Sequence, residues 1–131
     1  MMELTPAAIA AAYFDALGRG DVSTAMGLLD ARVVWHQPGA NRFSGDHTGI
    51  EGVGALLSGM MDVSEGSFQL SVTGASMVNG ELVAVPVRFT GTHTQGSMDM
   101  GGIDLLTIRD GKIIEVHLFS EDGRAEDIFW G

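Results

Sequence analysis

The sequence predicts an α+β domain in which three N-terminal helices pack on one face of a curved antiparallel β-sheet. The first half of the chain carries helix-start signals, followed by apolar residues at helical spacing. From residue 67 onwards apolar and polar residues alternate instead, which is the period of a strand with one buried face. Short turn dipeptides separate these runs, so successive strands should pair as hairpins.

The first two helices are predicted from their capping residues. Thr5 precedes Pro6, a favoured pair for the N-cap and the first helical position. Apolar residues then recur on one helical stripe: Ile9, Tyr13, Ala16 and Leu17. Gly18 and Gly20 should end this helix, after which Asp21 caps a second, short helix. The expected inward side chains of the second helix are Val22, Met26 and Leu29.

A short strand and a third helix follow. The strand covers residues 31–36 and leads into a polar loop predicted over residues 39–47. Thr48 and Glu51 have the three-residue spacing of a capping box, which marks the start of the third helix. Its expected apolar side consists of Ile50, Val53, Leu57, Met60 and Met61.

Four strands in a meander complete the predicted fold, beginning with one over residues 67–78. Three turn dipeptides connect them: Asn79-Gly80, Gln95-Gly96 and Asp110-Gly111. A two-residue turn at the first dipeptide places these side chains opposite each other: Leu70 with Phe89, and Val72 with Val87. Because both partners in each pair are apolar, this register is self-consistent.

The register of the last hairpin has two possibilities. A two-residue loop would place Asp104 opposite His117 and close to Glu115. A three-residue loop with a left-handed bulge would place Asp104 opposite Val116 instead. We favour the second register, because it gathers the apolar residues into one wall and leaves Glu115 and His117 on the outer face.

Asp104 is the single carboxylate on an otherwise apolar strand face. The side chains that share this face are Met98, Met100, Leu106 and Ile108. A buried carboxylate without a partner is costly to keep ionised. Asp104 is therefore expected to be paired, held neutral or chemically active, and it is our first candidate for an acid in a pocket wall.

Three stretches resemble proteins of the nuclear transport factor 2-like superfamily, among them the SnoaL-like polyketide cyclases and ketosteroid isomerase. The stretches are YFDALGRGD from Tyr13 to Asp21, VVWHQPG from Val33 to Gly39 with the following GDHTGIEGV, and IDLLTIRDGKIIEVH from Ile103 to His117. The resemblance covers nearly the whole chain and implies a single domain over residues 1–131 with their cone-shaped fold. Because this fold hosts isomerases, cyclases, dehydratases and non-enzymes, the resemblance implies less about activity.

The resemblance also implies roles for particular residues. Tyr13 matches the oxyanion-hole tyrosine of the isomerase, and Asp104 matches its neighbouring protonated aspartic acid. A carboxylate at this strand position is also the acid/base of the SnoaL-like cyclases. The general base of the isomerase falls within residues 35–37, where this chain has no carboxylate. His36 is the expected replacement base, because imidazole titrates near neutral pH.

The rest of the pocket is expected to be mainly apolar. Trp35 and His36 are adjacent in a strand, so they face opposite sides and only one of them can line the pocket. The other expected lining residues are Met60, Val87, Phe89, Met100, Val116 and Leu118. His93 is expected opposite Met98, at the rim or in solvent. The aromatic residues 129–130 should close the pocket, contact a second subunit or fray.

The composition argues against several classes of binding partner. The formal net charge is −10 with seven basic residues, which disfavours nucleic acid and membrane surfaces. Residues 1–6 lack a signal-peptide pattern and the chain has no cysteine, so we expect a cytoplasmic protein. The four histidines lack the spacing of a metal site, and the sequence has no glycine-rich phosphate loop. We therefore predict neither a metal nor a cofactor.

We therefore predict a small cofactor-independent enzyme that acts on a hydrophobic, carbonyl-containing ligand by enolate-type acid/base chemistry. Asp104 and Tyr13 would stabilise the oxyanion, and His36 would be the base. Two alternatives are a non-catalytic binding protein for a small apolar ligand and an interaction module with a vestigial pocket. A homodimer is expected through the outer sheet face, formed by Arg88, Ile103, Leu105, Glu115, His117 and Phe119.

Overall fold

The computed structural model describes residues 5–131, which contain four helices and seven strands. The helices are α1 (Pro6–Gly18), α2 (Val22–Gly27), α3 (Gly49–Val63) and α4 (Gly123–Trp130). The strands are β1 (Leu29–Gln37), β2 (Gly45–Thr48), β3 (Gln69–Val72), β4 (Met77–Asn79), β5 (Leu82–His93), β6 (Gly96–Arg109) and β7 (Lys112–Ser120). None of these four helices has the length and apolar character needed to cross a membrane. The expectation about a signal peptide rests mostly on residues 1–4, which lie outside the described range.

The seven strands form one curved, open sheet, which confirms the predicted α+β class. Their order is β2-β1-β7-β6-β5-β3, and β4 is also paired with β5. The long strands β5, β6 and β7 pair in antiparallel fashion, as predicted. β1, however, lies parallel to β7. Alternation within a strand does not reveal this pair, because it identifies the buried face of a strand and not its partner.

The first two helices begin at their predicted caps. Thr5 Oγ1 accepts a hydrogen bond from the backbone N–H of Ala8, and Asp21 Oδ1 accepts one from that of Thr24, each at 3.2 Å. Each bond satisfies an N–H group that a helix start leaves unpaired. Val22 is 53% exposed, so its predicted inward position is wrong.

α3 differs from the prediction in its cap and in its buried face. The side chain of Thr48 makes no capping hydrogen bond, and this residue is instead the last of β2, which pairs with β1 where a loop was predicted. Ile50 and Met61 are 38% and 42% exposed, which contradicts their predicted inward placement. The buried side of the helix is formed by Val53, Leu56 and Met60.

The predicted register between the strands around Leu70 and Val87 is confirmed, although the turn is displaced. The strand predicted over residues 67–78 is interrupted between β3 and β4. Asn79 pairs with Leu82, so the turn begins one residue later than predicted. The interruption absorbs this shift and keeps the predicted pairs: Leu70 opposite Phe89, and Val72 opposite Val87.

The final hairpin adopts neither of the two predicted registers. Its turn is the two-residue loop Asp110-Gly111, in which both residues have positive φ, 53° and 77°. A bulge at Ile114 then shifts the pairing, so that Asp104 lies opposite Leu118 rather than either predicted partner. The apolar residues of both strands still share one face as predicted, because the bulge restores their alignment.

The core lies between the helices and the inner face of the sheet. Its largest fully buried side chains are Trp130, Tyr13, Leu106, Ile108 and Ile113. The two aromatic members come from the last and the first helix of the described chain. The C-terminal helix is therefore an integral part of the fold and neither frays nor projects into solvent.

Candidate active site

A small cavity of about 60 Å³ lies between the helices and the inner face of the sheet. Most of its wall is apolar, and its polar side chains are Tyr13, Gln37, Asp104, Ser120 and Glu126. Four of the apolar residues expected from the sequence line it: Trp35, Met60, Phe89 and Leu118. Polar groups in such a cavity are shielded from bulk water, so their charges and hydrogen bonds act at low dielectric.

Three other residues expected in the pocket wall lie elsewhere. Val87, Met100 and Val116 are only 2%, 4% and 1% exposed and belong to the closely packed core. They do face inward, as their alternation predicts. Alternation identifies the inner face of the sheet but does not show which part of that face the helices leave uncovered.

Asp104 lies in the cavity wall, at the middle of the longest strand. Its neighbours on the adjacent strands are Val85 and Leu118, and only 6% of the residue is exposed. Burial, and secondly the negative charge of Glu126, raise the pKa of Asp104 from 3.8 to about 7. Asp104 can therefore hold a proton at near-neutral pH.

Tyr13 contributes a phenol to the same cavity. It lies on the buried side of α1 and is 1% exposed. Its hydroxyl group has no hydrogen-bond partner within residues 5–131, Asp104 included. Burial, with the nearby charge of Asp104 as a smaller cause, raises the pKa of Tyr13 well above its ordinary value. The phenol therefore stays neutral and keeps an unpaired O–H donor in the wall of the cavity.

Glu126 is a second buried carboxylate that the sequence analysis missed. Ser120 Oγ donates a hydrogen bond to its Oε1 at 2.5 Å, and Trp130 Nε1 donates one to its Oε2 at 3.2 Å. Burial raises the pKa of Glu126, while these two hydrogen bonds favour the ionised form and partly offset that effect. The cavity therefore contains two carboxyl groups in different surroundings.

The helix that carries Glu126 is held in place by the loop before β2. Asp127 Oδ1 accepts hydrogen bonds from the backbone N–H of Ala40 at 2.9 Å and from Asn41 Nδ2 at 2.8 Å. Trp130 packs edge-on against Phe43, with ring centroids 5.3 Å apart. These contacts join two segments almost 90 residues apart in sequence, and they fix the position of Glu126.

His93 also contacts α4. It pairs with Gly96 in the β5–β6 hairpin and not with Met98, so the turn lies one residue earlier than predicted. Its ring stacks on Phe129 at 4.4 Å, and its Nε2 lies 2.9 Å from the Phe129 carbonyl oxygen. His93 is therefore half-buried against the C-terminal helix and does not stand free at a rim.

His36 lies on the outer face of the sheet and does not line the cavity. Trp35 takes the inward position, where its Nε1 donates a hydrogen bond to Gln37 Oε1 at 3.0 Å. His36 instead forms hydrogen bonds with Glu115 and Asp46. The bond with Glu115 is the main cause that raises the pKa of His36, and the bond with Asp46 raises it further. The sequence analysis expected His36 to act as the base beside Asp104 and Tyr13. The structure instead places its side chain on the opposite face of the sheet from these two residues.

A larger open groove adjoins the cavity. Its volume is about 1140 Å³, and it runs between α1 and β3. Four apolar side chains belong to the walls of both spaces: Leu17, Leu57, Phe68 and Leu70. These side chains form the boundary between the buried acids and an exposed space large enough for a small-molecule ligand.

The cavity combines an acid with a raised pKa, a second carboxylate and an unpaired phenol. Two carboxyl groups whose surroundings differ can act as an acid and a base at the same pH. A neutral phenol and a neutral carboxylic acid can both donate hydrogen bonds to an oxygen atom that gains negative charge. The arrangement therefore suits proton transfer next to a carbonyl group.

The sequence does contain a signal for the missed carboxylate. Asp122 Oδ1 accepts a hydrogen bond from the N–H of Ala125 at 3.0 Å, so Asp122 is a helix cap. Glu126, Phe129 and Trp130 follow at spacings of three and four residues, which places them on one helical face. A cap followed by such a face predicts an amphipathic helix, with Glu126 on its buried side.

Comparison with known proteins identifies the family. A family model described as a SnoaL-like domain matches residues 10–116. A protein of unknown function with a cystatin-like fold from Xanthomonas campestris is 42% identical, over 97% of this chain and 98% of that chain, with a TM-score of 0.92. No match is found among curated protein sequences.

Two more distant structures have the same fold. An NTF2-like protein from Burkholderia xenovorans LB400 is 20% identical, over 93% of this chain and 94% of that chain, with a TM-score of 0.74. A candidate polyketide cyclase from Xanthomonas campestris pv. campestris is 19% identical, over 96% of each chain, with a TM-score of 0.73. The chain therefore belongs to the SnoaL-like domain family and has the fold of the nuclear transport factor 2-like proteins.

Proposed function

We propose that this protein is a small cofactor-independent enzyme that acts on an apolar, carbonyl-containing ligand by enolate-type acid/base chemistry. The reaction would be an isomerisation, a cyclisation or a dehydration. The observation that carries the proposal is the meeting of Asp104, Glu126 and the unpaired Tyr13 hydroxyl at one apolar cavity. Membership of the SnoaL-like family supports it, and a candidate polyketide cyclase is among the solved structures that resemble this chain.

Glu126 takes the role of base in place of His36. Its two hydrogen bonds, from Ser120 and Trp130, favour the carboxylate form. The resulting negative charge helps Asp104 to keep its proton, since it raises the pKa of that acid. The pair therefore provides one proton acceptor and one proton donor in the same pH range.

The reaction begins with transfer of a proton from the carbon next to the ligand's carbonyl group to Glu126. Asp104 and Tyr13 donate hydrogen bonds to the carbonyl oxygen, where the negative charge of the enolate collects. Return of the proton to a different carbon isomerises the ligand. Attack of the enolate carbon on a second carbonyl closes a ring, and the proton held by Glu126 moves to the new alkoxide oxygen. In a dehydration, the enolate instead expels a hydroxyl group from the neighbouring carbon, which leaves as water with that proton.

The ligand's apolar body would lie in the groove between α1 and β3. The inner cavity of about 60 Å³ has room for only a few small groups of atoms, since a water molecule occupies about 30 Å³ in the liquid. The carbonyl end would enter it by displacing the four boundary side chains, all of which are only partly buried. The groove, at about 1140 Å³, would hold the remainder.

A second candidate function is binding of the same ligand class without turnover. The size of the groove favours it, because the groove could hold a ligand without the carbonyl group reaching Asp104.

We also propose that the protein works as a homodimer. We propose the cytoplasm as its location, because a chain without cysteine suits a reducing compartment.

Deuterium exchange provides a test that needs no knowledge of the natural substrate. The probe is 2-tetralone, an apolar cyclic ketone with acidic protons beside its carbonyl group, followed by NMR in D₂O. We expect the protein to accelerate exchange, and we expect Glu126→Gln and Asp104→Leu to lower the rate by about 10²-fold or more. Tyr13→Phe should lower it less, because Asp104 still donates to the oxygen.

Asp99→Asn is the matched control for these variants. Asp99 lies on the same strand as Asp104, but its carboxylate faces solvent and pairs with Arg88 at 2.6 Å. The Asp99→Asn variant should therefore exchange the protons of the probe at the wild-type rate. If Glu126→Gln and Asp104→Leu both retain that rate, the acid/base assignment is wrong. Saturable binding of the probe without any exchange would favour the binding protein instead.

A further inference from the structure

Three side chains that commonly bind metal ions meet on the outer face of the sheet, across from the inner cavity. His36 on β1 and His117 on β7 occupy directly paired positions of these parallel strands. Glu115 precedes His117 by two residues, so its side chain lies on the same face. One ligand atom from each residue lies within 4.8 Å of the other two.

The distances within this cluster approach those of a coordination shell. Glu115 Oε2 lies 2.8 Å from His36 Nε2 and 3.5 Å from His117 Nε2. The two imidazole rings stack at 4.1 Å with an interplanar angle of 15°. Ligands about 2.0–2.2 Å from a tetrahedral zinc ion lie roughly 3.4 Å from one another. The two rings lie in nearly parallel planes, so admitting such an ion requires one imidazole to turn towards the other as well as a small widening of the contact between Glu115 and His36.

Asp46 on β2 holds His36 from the opposite side. The Nδ1–H group of His36 donates a hydrogen bond to Asp46 Oδ1 at 2.7 Å. A carboxylate in this position orients a ligating imidazole and leaves its Nε2 for the metal. β2, β1 and β7 are neighbours in the sheet, so a hydrogen-bonded scaffold supports all four residues.

We propose that His36, Glu115 and His117 bind one divalent transition-metal cation of the zinc class, with Asp46 as the positioning residue for His36. The cation would replace the proton between His36 Nε2 and Glu115. Two imidazoles and one carboxylate suit Zn²⁺, Ni²⁺ and Cu²⁺, whereas Mg²⁺ and Ca²⁺ prefer oxygen ligands. The side chains of His36, Glu115 and His117 are 28%, 41% and 41% exposed, so water can reach the cation and complete its coordination.

The cation has a structural role in this proposal. The cluster lies on the face of the sheet opposite to Asp104, so a bound cation does not touch the groups proposed for catalysis. It joins β1 to β7, the one parallel pair among the described strands, and stabilises the folded state by binding to it. The proposal is therefore independent of the proposed enzymatic activity.

Isothermal titration of the full chain with ZnCl₂ at near-neutral pH tests the site. We expect saturable binding of one zinc per chain, weakened at least about tenfold in Glu115→Gln and in His117→Ala. Asp46→Asn should weaken binding about 10- to 100-fold without removing a ligand. His47→Gln is the matched control, because His47 is a nearby histidine that contacts the Phe43 carbonyl oxygen instead of the cluster. This control should bind zinc as the wild type does.

Cobalt gives a second, spectroscopic measurement. Co²⁺ in the same site should develop visible absorption bands that His117→Ala loses, while Mg²⁺ should produce no saturable heat in the titration. Wild-type protein without saturable zinc binding would overturn the proposal. Equal zinc affinity in the wild type and the ligand variants would overturn it as well. If a ligand variant fails to fold, Asp46→Asn decides the question, and an unchanged affinity in that variant contradicts the site.

Discussion

Asp104 illustrates how the surroundings of one residue determine its chemistry. Its neighbours Val85 and Leu118 exclude the water that normally stabilises a carboxylate. Glu126 adds a second negative charge nearby, and together these effects bring the pKa of Asp104 to about 7. The same residue that is a candidate acid is thus a source of instability, because the folded chain resists its ionisation.

We predict that Asp104→Asn changes how stability depends on pH. Below pH 3.8, the ordinary pKa, the acid is neutral in the folded and the unfolded chain and adds no penalty. From there to about pH 7, the unfolded chain ionises and the folded chain does not, so this acid increasingly lowers stability. Above that range the penalty is constant at roughly 4 kcal/mol, taking 1.36 kcal/mol per pKa unit. As the pH rises from about 4 to about 7, the free energy of unfolding of Asp104→Asn should therefore increase relative to that of the wild type by up to this amount.

Urea unfolding across this pH range measures the difference between variant and wild type. Asp99→Asn is again the control, because it removes a solvent-facing carboxylate from the same strand. The contrast between the two variants isolates the contribution of the buried site. A difference for Asp104→Asn that stays flat between about pH 4 and 7 would show that the folded chain tolerates the charge.

At the scale of the element, α3 contains glycines in two different surroundings. A Cβ atom at Gly54 would have no other atom within 4 Å. A Cβ atom at Gly59 would lie 2.8 Å from Cε1 of Phe43, whose ring packs edge-on against Trp130. Gly59 therefore permits the close approach of the loop that supports α4, whereas Gly54 only weakens the helix.

We predict opposite effects of alanine at these two positions. Gly54→Ala should stabilise the protein by about 0.5–1 kcal/mol, because alanine is the better helix former. Gly59→Ala should destabilise it, because the new methyl group displaces Phe43 and loosens its contact with Trp130. Denaturant unfolding measures both changes, and hydrogen exchange should show faster exchange in α4 for Gly59→Ala alone. Equal stabilisation by the two variants would contradict the role assigned to Gly59.

At the scale of the whole molecule, the outer face of the sheet carries an exposed apolar pair. Ile103 and Phe119 lie opposite each other on β6 and β7 and are 36% and 54% exposed. Leu105 and His117 form the next pair in the same direction along β6. A twisted sheet face with apolar residues on adjacent strands suits association with another copy of itself.

We predict a homodimer through this outer face. Because Glu115 and His117 belong to the same face, sedimentation is measured with a chelator, so that no metal ion can hold two copies together. Ile103→Glu should shift the protein to a monomer, because it places a charge in the contact. Ile128→Glu is the control, since Ile128 is 73% exposed on α4 and lies outside this face. Wild-type protein that sediments as a monomer at micromolar concentration would contradict the prediction.

The sequence by itself determined the features that depend on residues close together in the chain. The caps at Thr5 and Asp21, the alternation of the long strands and the inward position of Asp104 are of this kind. Each follows from a local backbone preference or a short period of apolar residues, so a single segment contains the whole signal. The resemblance to the SnoaL-like proteins predicted the fold as a whole, and the match to the family model confirms that resemblance.

The tertiary structure alone decided which distant residues meet. Trp35 rather than His36 faces the cavity, α4 brings Glu126 towards Asp104, and a bulge sets the partner of Asp104. The parallel pairing of β1 with β7 likewise brings His36 level with His117. Such contacts join segments up to about 90 residues apart and depend on how whole elements pack, so no local pattern in the sequence specifies them.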